Sequence, residues 1–225
     1  SSGEMDVVAG TVLRHLVSQN VKVMMVATHA LGSLQTQKLM DQVSSETGKE
    51  YNYSENFINL GYIPGGHSGL LGFLSNPRKS MPFSVDGTFA WSQLAYQDVR
   101  SVNDFSLIVV ATENTDTARN LIEQLTALKN SSPVVMAVSA QVEPVVAPYF
   151  APSSGQVTGI ISGYAGAVAY ESATYYPGTA IQAYSPYSLA GLLAAAVIFI
   201  GSLYNAFSLL ISEGPKKERN SGDGK

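Results

Sequence analysis

A long stretch without a single charged side chain is the feature that most constrains this chain. It runs from Ser188 to Ser212 (SLAGLLAAAVIFIGSLYNAFSLLIS) in a chain of 225 residues. About 20 apolar residues, rising about 1.5 Å each, cross a hydrocarbon core of roughly 30 Å. The stretch therefore predicts a transmembrane helix over residues 188–212, which anchors the chain in a lipid bilayer as a single-pass protein.

The distribution of Lys and Arg predicts the orientation of this anchor. No Lys or Arg occurs between Lys129 and Lys216, and then Lys216, Lys217 and Arg219 follow the apolar stretch closely. Basic residues next to a membrane span stay on the cytoplasmic side. We therefore expect residues 213–225 to form a basic cytoplasmic tail of a cell-membrane protein whose soluble domain is extracytoplasmic. The alternative is a cytoplasmic domain with a C-terminal anchor, whose tail lies outside the cell membrane.

The start of the chain bears on how such a domain would be exported. Residues Ser1 to Glu4 contain neither an initiator Met nor an apolar export segment. An extracytoplasmic domain needs an export signal. We therefore expect a further segment, a signal peptide or a first membrane span, to precede Ser1.

Composition narrows the classes of partner and chemistry. The chain contains no cysteine, which excludes disulfides, thiolate metal sites and cysteine nucleophiles. Its net charge is −4, and no basic stripe interleaved with aromatic residues occurs. Nucleic acid is therefore not expected as a partner. No cofactor is predicted, because the sequence contains no cofactor-binding motif.

Hydrophobic periodicity predicts an α/β domain over residues 1–173. Short apolar, β-branched runs predict strands, and segments with apolar residues at helical spacing predict helices. The predicted strands are residues 21–27, 57–63, 106–111, 133–139 and 157–162, and the predicted helices are residues 4–20, 33–46, 67–74, 115–129, 142–150 and 163–173. Residues 47–56 are predicted to be a polar loop, and residues 76–100 to be irregular.

The alternation of these elements predicts the fold class. Near-continuous apolar strands separated by helices indicate a parallel sheet that is covered on both faces. The prediction is a doubly wound, mainly parallel sheet of the Rossmann or flavodoxin type, plus one C-terminal transmembrane helix. Such domains begin with a strand, whereas this chain begins with a helix. We therefore also expect a first strand to lie upstream.

A cluster of tyrosines lies between the domain and the anchor. Its members are Tyr170, Tyr175, Tyr176, Tyr184 and Tyr187. Tyrosine rings suit the headgroup region of a bilayer. Residues 174–187 are therefore predicted to be a Tyr-rich juxtamembrane linker at the outer membrane surface, with an ordinary linker as the alternative.

Candidate ligand-binding residues follow from the predicted topology. In an open parallel sheet, ligands bind beyond the carboxyl ends of the strands. The candidates at these positions are His29, Gly65, Gly66, His67, Ser68, Glu113 and Gln141. The turn from Pro64 to Gly69 runs into a helix and could hold an anion on its backbone N–H groups. It matches no dinucleotide, P-loop or nucleophile-elbow motif, so a tight turn without a ligand is the alternative.

Two enzymatic interpretations are weaker. His29 and His67 with Glu113 or Asp116 would suit zinc. Ser68 with either histidine would suit a hydrolase. No spacing motif supports either, and Asn114 or Thr115 as a helix cap explains the polar run 112–116 equally well. No catalytic residue and no metal ligand is therefore assigned.

The anchor itself carries a pattern that favours helix packing. Small residues four apart and a lone amide occur along it, namely Gly191, Ala195, Ser202, Asn205 and Ala206. Small residues let membrane helices approach closely, and an amide in lipid needs a partner. Other membrane-protein subunits are therefore expected as partners, with a plain anchor as the alternative.

Three segments carry a resemblance to a known group. They are residues 59–66 (NLGYIPGG), residues 138–144 (VSAQVEP) and residues 155–171. With these segments the chain resembles the uncharacterised, hypothetical membrane-anchored proteins of green non-sulfur bacteria (Chloroflexota). The resemblance implies a bacterial origin, and an N-terminal membrane span and first strand before the opening helix. It implies no activity.

The function expected from these observations is that of a non-enzymatic, membrane-anchored accessory or assembly subunit of a larger membrane protein complex. The alternative is a ligand-binding or hydrolytic α/β domain that uses the carboxyl edge of its sheet around residues 65–68.

Overall fold

The computed structural model describes residues 3–48, 56–93 and 96–212. Most of the predicted polar loop over residues 47–56, and the whole predicted cytoplasmic tail over residues 213–225, lie outside the described residues. The side chains of Ala206 and of residues 208–212 lie outside them as well.

Within the described residues, helices and strands alternate along the chain. The helices are α1 (Gly3–Ser18), α2 (Ala30–Thr47), α3 (Gly66–Ser75), α4 (Pro77–Ser80), α5 (Thr115–Ala127), α6 (Glu143–Phe150), α7 (Gly163–Thr174) and α8 (Thr179–Ser212). The strands are β1 (Val23–Ala27), β2 (Phe57–Tyr62), β3 (Ile108–Thr112), β4 (Val134–Val138) and β5 (Gly159–Ser162). Short 3₁₀ turns lie at Ala90–Ser92 and Val102–Asp104.

The predicted order of elements is confirmed, with ends that differ by a few residues. The stretch predicted to be irregular contains one additional helix, α4. Its start is explained by a local signal, because the Asn76 side chain accepts a hydrogen bond from the Lys79 backbone N–H at 3.1 Å. Pro77 then occupies the first helical position, where its missing N–H costs nothing.

The strands form two small parallel sheets. Strand β1 pairs with β2, with Val23 opposite Phe57. Strand β4 lies between β3 and β5, with Ile108 opposite Val134 and Val135 opposite Gly159. The α/β class and the parallel pairing are therefore confirmed, whereas the described strands form two sheets and not the single sheet that was predicted.

Helices cover the sheets on two faces. Alternate residues of a strand point to opposite faces. Met136 of β4 belongs to a large apolar cluster that includes residues of α3, α5 and α6, whereas its neighbour Ala137 belongs to a cluster with Val8 and Val12 of α1. A third cluster joins Leu13 and other α1 residues to β1, β2 and α2. Helix α1 therefore contacts both sheets from one face.

Two compact units make up the chain, residues 1–182 and residues 183–225. In the described part of the chain, one helical segment, Thr179–Asn205, is long and apolar enough to cross a membrane. The predicted anchor of residues 188–212 thus coincides with a helix, and the helix itself begins earlier, at Thr179. The predicted linker over residues 174–187 is therefore helical over most of its length.

Candidate functional site

The predicted ligand-binding residues lie at the carboxyl ends of four strands. His29 is the N-cap residue of α2, directly after β1, and its exposed side chain makes no capping hydrogen bond. Glu113 follows β3 and Gln141 follows β4, and both side chains are exposed. The turn of residues 64–69 leads from β2 into α3. The strand ends were therefore located correctly, while ligand binding at them stays a prediction.

The glycines of this turn have a structural explanation. Gly65 and Gly66 have φ angles of 91° and 56°, which side chains rarely tolerate. A Cβ added at Gly69 would overlap the backbone carbonyl of Pro64. The sharp entry into α3 therefore requires these glycines whether or not an anion binds.

His67 contacts the neighbouring helix α5. Its Nε2 lies 3.3 Å from Nδ2 of Asn120, and its backbone carbonyl accepts a hydrogen bond from Gln124 Nε2 at 3.3 Å. Helix α5 is itself capped by Asn114, whose side chain accepts from the Thr117 N–H at 2.8 Å. The contacts of His67 dock the start of α3 on α5. The hydrogen bond of Asn114 confirms that the polar run after β3 caps a helix.

Two depressions lie on the surface of the described part of the chain. One, of about 290 Å³, includes Asn130, Ser131 and Thr158 at the amino ends of β4 and β5. The other, of about 500 Å³, includes Gln37, Asn59 and further residues beside β2. Neither contains a predicted ligand-binding residue. Among residues 3–48, 56–93 and 96–212, no group of three His, Asp or Glu side chains is placed to hold a metal ion.

A buried ion network at the start of α8 was not predicted. Glu171 of α7 is only 2% exposed. Its carboxylate accepts hydrogen bonds from the backbone N–H groups of Gly178, Ala180 and Ile181 at 3.0–3.1 Å. It also accepts one from the Thr11 hydroxyl of α1 at 2.9 Å. Glu171 thus satisfies N–H groups at the beginning of α8, which no preceding helical turn could satisfy.

Arg14 of α1 connects this carboxylate to α2. Its Nη1 lies 3.8 Å from Glu171 Oε1, an ion pair without a hydrogen bond, and its Nη2 lies 2.5 Å from Glu46 Oε2. Burial acts to raise the pKa of Glu46, but hydrogen bonds from Gln42 and Arg14 and the charge of Arg14 lower it below its ordinary value. Nη2 also donates to the Thr179 hydroxyl at 3.2 Å. The network therefore joins α1, α2, α7 and the first turn of α8.

One sequence signal could have indicated this network. Glu171 and Glu143 are the only charged residues between Lys129 and Glu213. Glu143 lies in the first turn of α6, where a carboxylate suits the helix dipole. Glu171 lies near the end of a helix of small residues, where that explanation fails. A lone carboxylate there points to a buried partner.

The tyrosine cluster divides into two groups. Tyr170 and Tyr176 contact His15 of α1: the Tyr170 hydroxyl is 2.7 Å from His15 Nδ1, and the Tyr176 ring stacks on the imidazole at 6.5 Å. Burial raises the pKa of Tyr170. Tyr175, between them in sequence, is 91% exposed. Tyr170 and Tyr176 are therefore part of the domain's packing, and the exposed Tyr175, Tyr184 and Tyr187 remain candidates for a headgroup region.

The predicted packing residues of the anchor lie on one helix. At about 100° per residue, Gly191, Ala195, Ser202, Asn205 and Ala206 fall on one face of α8. Space around Gly191 is open, because a Cβ added there would meet nothing within 4 Å. Ala195, Ser202 and Asn205 are exposed, while the side chain of Ala206 lies outside the described residues. Their role in packing stays a prediction.

Together these features define a class: a mixed α/β domain that carries a candidate membrane-spanning helix, with a buried ion network at the helix start. No protein-family model, no curated protein and no solved structure matches the chain. The resemblance to membrane proteins of Chloroflexota therefore stays a prediction.

Proposed function

We propose that the protein is a non-enzymatic, membrane-anchored accessory or assembly subunit of a larger membrane protein complex. In this proposal α8 crosses the cell membrane, residues 213–225 are cytoplasmic, and the α/β domain is extracytoplasmic. The single observation that carries it is an apolar helix whose side chains are exposed on every side within its own unit.

The exposure is uniform around the helix. Leu192, Val197 and Ile198 point in different directions and are 69–71% exposed. A helix that is apolar all round is stable only when lipid or other apolar helices surround it. Gly191 and Ala195 lie on a face on which a second helix could approach closely, because small residues bring helix backbones together.

The buried network supports a structural role for the junction before the anchor. The two charged groups of Glu171 and Arg14 are buried where residues 178–181 pack against α1 and α7. Charged groups that are buried in this way are costly unless they are paired and hydrogen-bonded. The first turn of α8 is therefore held within the α/β domain.

We also propose that the domain is doubly wound, of the Rossmann or flavodoxin type, and that the chain belongs with the Chloroflexota membrane proteins it resembles. Parallel strands with helices on both faces support the first proposal. The segments of residues 59–66, 138–144 and 155–171 support the second.

Co-purification from the native membrane tests the assembly role. The tagged chain, extracted in a mild detergent such as digitonin, should elute with other membrane polypeptides in a fixed ratio. Ala195→Leu should abolish this association, because the larger side chain keeps a partner helix away. Ala196→Leu is the matched control, since it makes the same change about 100° around the helix.

Two outcomes would overturn the proposal. A wild-type chain that elutes alone under mild extraction has no stable partner. If Ala195→Leu and Ala196→Leu reduced the association with the other polypeptides equally, the small-residue face of α8 would not be the surface that contacts the partner. The alternative function, ligand binding at residues 65–68, predicts instead that removing the His67 side chain abolishes binding of a ligand.

A further inference from the structure

Within the described residues, strand β1 is paired along one of its two edges. In the described part of the chain it pairs with β2 alone. The Val23 N–H donates to the Asn56 carbonyl on the β2 side at 2.7 Å. Because backbone groups alternate in direction along a strand, the N–H groups of Met24 and Val26 point away from β2.

Strand β3 is in the same situation. Among the described strands its only pairing partner is β4, and the Ile108 N–H donates to the Pro133 carbonyl on that side at 2.9 Å. The N–H groups of Val109 and Ala111 therefore point away from β4. Ala111 is exposed and Val109 half-buried, whereas the central strand β4 is almost wholly buried. The exposure of β3 is that of an edge strand.

The two free edges lie within the same layers of the domain. On one face, Met24 and Val26 of β1 pack against the cluster that contains Val110 of β3. On the other face, Leu16 of α1 packs against the β1–β2 cluster and also against the β4–β5 cluster. A shared core below and a shared helix above hold β1 and β3 in one layer, yet no hydrogen-bonded pairing joins them.

The position of α1 indicates how a strand would enter this gap. Gly163 follows β5 and Ala140 follows β4, both at the carboxyl edge. A Cβ added at Gly163 would lie 2.7 Å from Glu4 Oε1 and 3.1 Å from the Ala140 Cβ. Helix α1 therefore begins at the carboxyl edge. A strand connected directly to its start would run parallel to β1 and β3, with α1 as the crossover back to β1.

We propose that the gap between β1 and β3 is a binding slot for one parallel β-strand, connected to the N-terminus of α1. The slot strand faces α1 on one side and the large apolar cluster on the other, so its sequence is apolar and rich in β-branched residues on both faces. It converts the two sheets into one continuous parallel sheet in the order β2, β1, slot strand, β3, β4, β5. The inference does not depend on the proposed membrane function.

Hydrogen exchange on the chain as it stands gives the first test. The amides that face the slot should exchange at least about tenfold faster than their neighbours that face β2 or β4. The slot-facing amides are those of Met24, Val26, Val109 and Ala111, and the paired amides are those of Val23, Met25, Ile108 and Val110. Equal protection of the two sets would show that the slot is closed, and would overturn the proposal.

An added strand gives the second test. A Val-Ile-Val-Val-Val segment with a short Gly-Ser linker is fused before Ser1, and the control carries Pro at the second and fourth positions of the segment. The strand should slow exchange of the slot-facing amides at least about tenfold and raise the Tm by about 5 °C or more, whereas the Pro control should do neither, since Pro cannot pair inside a sheet.

Cross-linking locates the added strand. The chain has no cysteine, so each introduced pair is unique. A cysteine at the centre of the strand should react through a short thiol cross-linker with Ala111→Cys on β3, and not with Gly159→Cys on β5. Cross-linking to Gly159→Cys alone, or no gain in protection from the strand, would overturn the proposal.

Discussion

Replacing Glu171 by alanine tests whether the buried ion network holds the start of α8 to the domain. The change removes the acceptor of three backbone N–H groups and of the Thr11 hydroxyl. It also leaves the Arg14 guanidinium, whose side chain is only 7% exposed, with Glu46 as its remaining charged partner.

The cost can be derived from these contacts. Breaking a buried ion pair from one side costs about 3–5 kcal/mol, and each buried donor left without an acceptor costs about 1–3 kcal/mol. The contributions overlap, because the same carboxylate serves all the donors, and water can reach the half-buried Gly178 and the exposed Ile181. We therefore expect Glu171→Ala to lower the free energy of unfolding by about 4 kcal/mol, which corresponds to about 8–16 °C in Tm for a domain of this size.

Trp91 provides the assay. It is the only tryptophan of the chain and is 2% exposed, so its fluorescence reports unfolding of the α/β domain. Urea titrations of the full chain in detergent micelles compare wild type with Glu171→Ala. Glu143→Ala is the matched control, because it removes an exposed carboxylate from a first helical turn, and should cost less than about 1 kcal/mol.

A double variant sharpens the test. Arg14→Leu combined with Glu171→Leu removes both charges, so it should be less destabilising than the sum of the two single changes. The reasoning would be refuted if Glu171→Ala cost no more than Glu143→Ala, or if the two network changes were simply additive.

Three further predictions concern other parts of the domain. Gly178→Ala should cost about 1–3 kcal/mol, because the new Cβ would lie 2.6 Å from both Arg14 Nη1 and Glu171 Oε1; urea unfolding that matches wild type would contradict this. Hydrogen bonds from the Arg100 N–H and from Ser101 lower the pKa of Asp104. The stability that its carboxylate contributes is therefore fully present above the ordinary pKa of about 3.9, and this stability is lost as the pH falls through the lowered pKa. Below about pH 4, wild type should therefore lose more stability than Asp104→Asn, and parallel acid titrations would contradict this. His67→Ala should lower the free energy of unfolding by less than about 1 kcal/mol, because its contact with Asn120 is exposed; a larger loss by Trp91 fluorescence would contradict this.

The order of the elements was predictable because it depends on local pattern. The run from Ile108 to Thr112 is apolar and β-branched, and Asn114 follows as a helix cap. Such signals extend over a few residues, so one sequence suffices to read them. The ends of the strands, and hence the positions of His29 and Glu113, follow directly.

The buried network was beyond such reasoning because its members are far apart in the chain. Thr11 and Glu171 are separated by 160 positions, and Arg14 and Glu46 by 32. The two members of each pair lie on different helices, and no local pattern couples them. The division of the sheet escaped prediction for a related reason. Pairing depends on which strand lies beside which, and the apolar sequences of β1 and β3 are compatible with an edge or a central position.

The separation of Thr11 from Glu171 has a consequence for the order of folding. Contacts that close long loops form late, because the entropy of closure must be offset by structure that already exists. During synthesis, α1 leaves the ribosome long before α7 and the start of α8. We therefore expect the carboxylate of Glu171 to meet Thr11 only when almost the whole domain has been made. The contacts around the first turn of α8 would then be among the last contacts of the domain to form.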